Sequence, residues 1–444
     1  MKALAAAICG SAIFASSVSA SDKSNDPASP SAAPQNWTTT FSTEARYFSW
    51  RSSLVLTGDG SSTPGKGWQF YAPFAVQLTG KPSEVLSLDF TVRGGWVKSV
   101  QTTSGHSGEV HTPTDTVVSG TATYLGIQGM QPFVSLNANL PSGKSALFGN
   151  AVNARMDPDL VDVSTFGEGY NVGPSLGFNF PITGSLFITT SVGYTWHGNF
   201  TRETESPAFP AGTDPQVIAE LTPLAPTQTI SPGQNVAYTA AVNYQIGRLT
   251  AGLTGSTTWE TATAIDRIKS FQPGLRYLLA LQSSFTWPEK FGRTSLSASF
   301  AHSNRNRVKL FLDEINAFGL VTEFLDSNSN VYRVGLEHLF PVGDLQIGPT
   351  GSVLYRDRNG YNADTLQFVP PKTRWSAGLL AQFAPNAAMT LNARFERVWT
   401  HENENPATDG GKIDPIAGGV IPSSTVPAIS GAGWQTSFGL NIKM

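Results

Sequence analysis

The chain has 444 residues, of which 40% are hydrophobic and only 14% charged, with a formal net charge of −3. Soluble domains usually carry about 25% charged residues, and so small a net charge gives no argument for nucleic acid or a strongly anionic partner. Past the first twenty residues no run of roughly 18 consecutive apolar residues occurs, which excludes a membrane-spanning helix and leaves strands as the only way such a chain could cross a bilayer.

The N-terminal segment reads as a secretory signal peptide over residues 1–20. Lys2 is its charged end, Ala3 to Ala15 its apolar core, and Val18-Ser19-Ala20 its small-x-small cleavage site. The only cysteine, Cys9, lies inside it, so the expected mature chain has no thiol or disulfide chemistry. Residues 21–36, rich in Ser, Pro, Ala and Asp, read as a disordered lead-in.

From residue 37 to 444 the pattern has a period of two. Trp37, Phe41, Ala45 and Tyr47 share one face, with Thr38, Glu44 and Arg46 on the other. Trp68 to Leu78 and Leu86 to Trp96 repeat the alternation on either side of a turn near residue 80. A fourth segment, Val117 to Ile127, alternates poorly and leaves its facing open; Val134 to Leu140 is clear. Val172 to Trp196 forms two strands joined at Pro181-Ile182-Thr183-Gly184, with Gly, Ser, Thr and Asn on one face and Leu, Phe, Tyr and Trp on the other. Eight more strands follow: Val236 to Ile246, Leu249 to Trp259, Leu275 to Trp287, Leu296 to Phe300, Tyr332 to Phe340, Leu345 to Tyr355, Trp375 to Phe383 and Met389 to Trp399. The last is Trp434 to Met444.

A polar face of small residues with almost no Lys or Glu, opposite an apolar face ending in aromatics, is what a strand needs when lipid is outside and water inside. Short turns alternate with long links near 52–66, 103–112, 141–170, 201–232, 260–272, 307–326, 358–371 and 400–431. The expected fold is an all-β transmembrane antiparallel up-and-down barrel of about 16 strands, with 12 or 14 also compatible. Trp37, Trp68, Trp96, Trp196, Trp259, Trp287, Trp375, Trp399 and Trp434 fall at or near strand ends, as aromatic girdles require. A secreted soluble β-protein is the competing fold.

A charge at mid-membrane on the lipid face costs about 2–4 kcal/mol, so strand charges should face the lumen. The expected pore-lining set is Arg46, Arg93, Arg276, Arg305, Arg307, Arg333, Glu337, Arg356, Arg374, Arg394 and Glu396, with Lys372, Glu44, Asp89 and Glu260 on the same face. Arginines outnumber acids there, which favours anionic or polar solutes; a salt-bridged structural lumen is the alternative. The link 141–170 holds a predicted short helix over Lys144 to Arg155 and then Asp157, Asp159, Asp162 and Glu168. Folded into the lumen it would form a constriction loop from Arg155, Asp157, Asp159, Asp162 and Glu168; otherwise it is an external loop. The three aspartates fall short of a full calcium ligand set, so neither metal nor other cofactor is expected. His106, His111, His197, His302, His338 and His401 show no spacing diagnostic of a nucleophile and base, so an enzyme is not expected.

With an even strand count, alternating turn lengths and an acidic long third loop, the chain resembles the general porins of the Gram-negative outer membrane. Leu140-Pro141-Ser142-Gly143-Lys144 and Phe166-Gly167-Glu168-Gly169-Tyr170-Asn171-Val172-Gly173-Pro174 are similar to segments of barrels for aromatic-compound and fatty-acid uptake. The last residue, Met444, departs from the Phe usual in porins, while Phe438, Leu440 and Ile442 keep an apolar alternating last strand. The resemblance implies outer-membrane lipid, the barrel-assembly machinery and small solutes as partners, with a homo-oligomer open. The expected function is passive diffusion of small polar or anionic solutes. A selective transporter of hydrophobic or aromatic compounds and a structural or adhesive barrel are the other readings.

Overall fold

The computed structural model describes residues 37–444 except 53–54, 57–61, 64, 104–105, 205–226, 313–316, 323–327, 358, 363–366, 405–411, 414–419 and 422–427. The expected signal peptide and disordered lead-in lie outside the described residues.

Sixteen strands form one closed antiparallel barrel. They are β1 Thr38–Ser52, β2 Lys66–Ser83, β3 Leu86–Thr103, β4 Thr116–Tyr124, β5 Gln131–Leu140, β6 Asn171–Pro181, β7 Leu186–His197 and β8 Asn235–Ile246. The second half comprises β9 Leu249–Glu260, β10 Arg276–Thr286, β11 Arg293–Ser303, β12 Ser329–Val342, β13 Leu345–Arg356, β14 Lys372–Asn386, β15 Met389–Glu402 and β16 Ile429–Lys443. Each pairs with its sequence neighbours. β1 closes the ring on β16, from Thr40 opposite Lys443 to Ser52 opposite Gly431. Thr39 and Met444 exchange two backbone hydrogen bonds of 2.8 Å, so pairing runs to the last residue. Closure leaves no strand edge to template aggregation.

The surface is inverted relative to a soluble protein. Leu136, Leu176, Leu379 and Phe438 are 53–63% exposed, while Gln69, Ser99, Lys372 and Glu396 are at most 3% exposed. Large apolar side chains over the whole outer wall form an exposed band far beyond what a soluble monomer tolerates; a bilayer is the solvent in which it is stable. The poorly alternating β4 turns Val118 and Tyr124 outward. At the short-turn end Gly247 and Gly343 adopt φ of +53° and +64°, which a residue without a Cβ reaches at no steric cost.

The long links are more structured than their composition suggests. Phe200–Glu203, Thr227–Ser231, Thr263–Ile265, Ile268–Gln272, Arg307–Leu312 and Ala317–Thr322 pair in sequence order as a second, six-stranded sheet. It continues the wall beyond the loop-side ends of β7 to β12. His106–Pro113 pairs with the outer half of β3, Lys98 opposite His111. The predicted helix over Lys144 to Arg155 is instead a six-residue 3-10 segment, Gly149–Ala154. Gly149 at φ +57°, two asparagines and a β-branched valine make poor α-helix material.

Candidate functional site: the lumen and its inserted loop

The link between β5 and β6 turns into the barrel. Its anchors are inward side chains on strands that the ring places far from its origin. Arg356 of β13 and Lys372 of β14 lie eight strands from β5 and β6, on the opposite wall. Arg356 Nη1 reaches Asp159 Oδ2 at 2.8 Å. Lys372 pairs with Asp157, with Asp159 at 3.5 Å and with Glu402 at 3.9 Å. Arg46 of β1 binds Asp162 Oδ2 at 3.2 Å and its own strand's Glu44 at 2.7 Å. The loop therefore crosses the lumen, and its three aspartates end on three wall cations.

Two small dry clusters hold it there. Val97 of β3, Val110 of the strand beside it, and Leu147, Ala154, Val163 and Phe166 of the loop form one. Phe48 and Val398 of the wall with Met156 and Val161 of the loop form the other. Gln69 of β2 acts as a peptide surrogate: its Nε2 donates to Val163 O at 2.7 Å, and its Oε1 accepts from Val163 N–H at 3.2 Å. Gln101 Nε2 donates to Asn153 O and Arg155 O, each at 3.1 Å. Trp50, an inward tryptophan, donates from Nε1 to Met156 Sδ at 3.4 Å. A Cβ on Gly108 would lie 2.4 Å from Ala154 N and Asn153 C, so the 3-10 segment rests directly on that backbone.

A lid of loop residues covers this core. Arg155 Nε donates to Glu203 Oε1 at 2.5 Å and its Nη2 to Glu203 Oε2 at 3.2 Å and to Ser145 O at 2.9 Å. Leu147 N–H donates to Glu203 Oε2 at 2.9 Å. Burial raises the Glu203 pKa, but the bonds from Arg155 and Leu147 outweigh it and hold the carboxyl below its usual value. Asp157 follows the same pattern: enclosure raises it, and the Lys372 ammonium brings it down below the usual range. Glu168 goes the other way. Burial pushes it up against the bond from the Thr165 hydroxyl, and the neighbouring carboxylates Asp115 and Glu260 push it further. Asp115 accepts from Gly143 N–H, Asn139 Nδ2 and Glu168 N–H, closing the two ends of the loop on each other.

The lumen wall is two-sided. From β5 to β9 its inward positions are mainly Ser, Thr, Asn, Ala and Gly, for example Ser135, Thr189, Ser191, Thr239, Thr254 and Ser256, as the register sets them. From β12 round to β3 they carry the charge. Arg394 pairs with Glu337 and lies 3.4 Å from Glu396, which also accepts from Thr350 Oγ1 at 3.1 Å. Arg374 Nη2 donates to the neutral amide oxygen of Gln435 at 3.0 Å. Arg93, inward on β3, is exposed. Arg333 shares this wall, opposite Ser299.

Two of the expected lining residues sit elsewhere. Arg276 is on the wall, at the loop-side end, tied to Glu260 at 2.6 Å. Arg305 and Arg307 lie beyond β11, which ends at Ser303; Arg307 begins a strand of the second sheet and binds Gln272 Oε1 and Leu320 O. Their sequence neighbours His302 and Ser303 carry the strand pattern to its end, so the alternation alone does not mark where wall gives way to extension. Glu203, Asp115, Gln69 and Gln101 escaped the sequence reading. A glutamine on an inner face of small residues is the one signal that could have raised two of them.

Beside the loop a cavity of about 260 Å³ is lined by Phe48, Trp50, Leu160 and Val398 together with Arg155, Asp157 and Lys372.

No family model and no curated protein matches this chain. Among solved structures it is similar to the anion-selective porin from Comamonas acidovorans, at 12% identity and a TM-score of 0.37, covering 92% of this chain and 99% of that one. It is also similar to the CymD monoaromatic hydrocarbon channel, at 10% identity and a TM-score of 0.34, covering 91% and 88%. A third is a loop-deletion mutant of OmpT, an outer membrane protein of Vibrio cholerae, at 10% identity and a TM-score of 0.37, covering 92% and 99%.

Proposed function

We propose that this chain is an outer-membrane channel through which small polar solutes diffuse, anions ahead of cations. One observation carries the reading. Each aspartate of the inserted loop is already held by a wall cation, Asp157 by Lys372, Asp159 by Arg356 and Asp162 by Arg46. Arg93 stays exposed, and the Arg374 guanidinium spends a bond on an uncharged amide. Around Arg93 and Arg374 the passage is thus biased towards positive, with Asp89 on the short-turn side held by Gln77 and Thr79 at 2.7 Å, and the opposite wall of hydroxyls offers hydrogen bonds. Fixed cations lower the entry barrier for anions and raise it for cations.

Reversal potentials in a potassium chloride gradient across a planar bilayer test this. The expected outcome is a steady conductance with anion preference, which Arg93→Gln combined with Arg374→Gln moves towards neutrality. Cation preference that the double variant leaves unchanged would overturn the selectivity, and a silent barrel would overturn the pore. The half-apolar cavity beside Phe48 and Trp50 favours a second reading, passage of small aromatic compounds. Uptake of benzoate by proteoliposomes that exclude sugars of similar size would select it.

A further inference from the structure

We infer that the outer wall at the loop-side end of β15, β16, β1 and β2 binds the phosphate-bearing headgroup of a lipid in the adjoining leaflet. The inference rests on the membrane reading above and starts from where the barrel puts charge on its outside. Along the loop-side halves of the sixteen strands, the outward positions hold four residues from among Lys, Arg, Asp and Glu: Arg397 on β15, Arg51 on β1, and Lys66 and Lys98 on β2 and β3. All four are cations, and all fall within one contiguous sector. The same rows on β4 to β14 carry apolar, hydroxyl, aromatic and imidazole side chains, such as Val172, Trp196, Val236 and Tyr355.

Within that sector, Arg51 and Lys66 are direct cross-strand partners on adjacent strands. Both are exposed, and neither side chain makes a hydrogen bond or ion pair among the described residues. Two like charges placed opposite one another on a sheet repel, and a lipid-facing cation is tolerated only near the interface. Lys98 differs: Glu109 neutralises it at 2.8 Å while its ammonium lies 5.6 Å from the Trp68 ring centre. That acid closes the sector on the β3 side. On the other side Arg397, two strands or about 10 Å from β1, lies over Trp434 with its guanidinium carbon 4.8 Å from the ring centre. Trp399 and Trp375 stack 4.1 Å apart in the row of Arg51. Other titratable groups at the loop-side end of the sector are His111, His401 and, two residues past the end of β15, the exposed Glu404.

The arrangement is a cationic notch set in an aromatic girdle. Tryptophan rings at this depth hold the glycerol and headgroup region of a lipid. An unneutralised Arg–Lys pair supplies charge-assisted donors to a phosphate that reaches the same level. An inorganic anion would leave the tryptophan rings uncovered, whereas a lipid covers them and meets the cations with its phosphate, so the occupant is a lipid.

Nanodiscs of phosphatidylcholine doped with phosphatidic acid, followed by native mass spectrometry of the released full chain, test the site. The unaltered chain is expected to retain phosphatidic acid in preference to phosphatidylcholine. Arg51→Gln with Lys66→Gln is expected to lower that retention roughly tenfold, and Lys81→Gln at the short-turn end to leave it unchanged. Should the double variant lose the heat-modifiable mobility of a folded barrel, the single variants replace it, each expected to lose part of the preference. Retention at the unaltered level in folded variants overturns the inference, as does displacement of the lipid by excess inorganic phosphate. A chain that does not enter nanodiscs overturns the membrane reading as well; one that enters and shows no preference overturns this inference alone.

Discussion

The guanidinium of Arg356 lies 2.8 Å from the carboxylate of Asp159, although 197 positions separate them in the chain. This contact and its neighbour, Lys372 with Asp157, fasten a loop launched from one side of the barrel to the other. Both members of the Arg356–Asp159 pair are largely withdrawn from solvent. Removing one partner leaves the other charge under-compensated, a loss of about 1–3 kcal/mol for a hydrogen-bonded group. Arg356→Gln with Lys372→Met is expected to leave the barrel intact while releasing this end of the loop. In planar bilayers the variant should show larger and noisier unit conductance. Conductance indistinguishable from that of the unaltered chain would mean that the dry clusters alone hold the loop.

Gly108 tests those clusters from the other side. Its Cα faces the 3-10 segment so closely that a Cβ would come within 2.4 Å of two loop backbone atoms and 2.6 Å from Asn150 O. Neither the strand nor the loop backbone can yield that distance without unseating Ala154 and Leu147 from the cluster with Val97 and Phe166. Gly108→Ala is expected to increase protease cleavage after Arg155 in the folded, heat-modifiable barrel. Protection equal to that of the unaltered chain would show that the loop sits farther from this strand than the packing requires.

The barrel was legible because its two solvents impose opposite rules on alternate residues. Leu176 and Phe178 had to be apolar, Ser175 and Asn179 polar, and the repeat of that pattern located all sixteen strands. It left the facing of β4 open, where small residues fill much of both faces and only Val118 and Tyr124 betray the outward side. It failed at His106–Pro113. There the apolar Val110 points inward to the loop, and Glu109 and His111 occupy the outward face, because beyond the bilayer the lipid rule no longer applies. The inward charges were legible as a set. Their partners were not, because which wall strand a loop reaches depends on closure of the ring, and no local pattern encodes that.

Glu203 links the lid to acidity. Its carboxyl is held below the usual value by Arg155 and by the Leu147 N–H despite burial. A depressed folded-state pKa adds stability that is complete above the unfolded value and disappears as pH falls through the folded one. The lid is thus expected to hold at neutral pH and to loosen only below about pH 4, the ordinary carboxylate range. Hydrogen exchange at the Leu147 amide reads this directly. Protection should be lost on acidification in the unaltered chain and be absent at every pH in Glu203→Ala. Persistent protection in that variant would remove Glu203 from the lid.

Glu168 should behave in the opposite sense. Burial raises its pKa, the Thr165 hydroxyl partly offsets this, and Asp115 and Glu260 add to the rise. For a group whose folded-state pKa is raised, stability is greatest below the unfolded value and declines as pH rises through the folded one. Above the unfolded value the carboxyl therefore costs stability, and an uncharged isostere escapes that cost while still accepting the bond from Thr165 Oγ1, 3.1 Å away. Glu168→Gln is expected to raise the heat-modification midpoint of the barrel near pH 7 and to leave it unchanged near about pH 4, where the native carboxyl is already protonated. A variant less stable than the unaltered chain at neutral pH would mean that the carboxylate is held by a cation, and that the acidic end of the loop is seated differently from the Asp115–Thr165 environment described above.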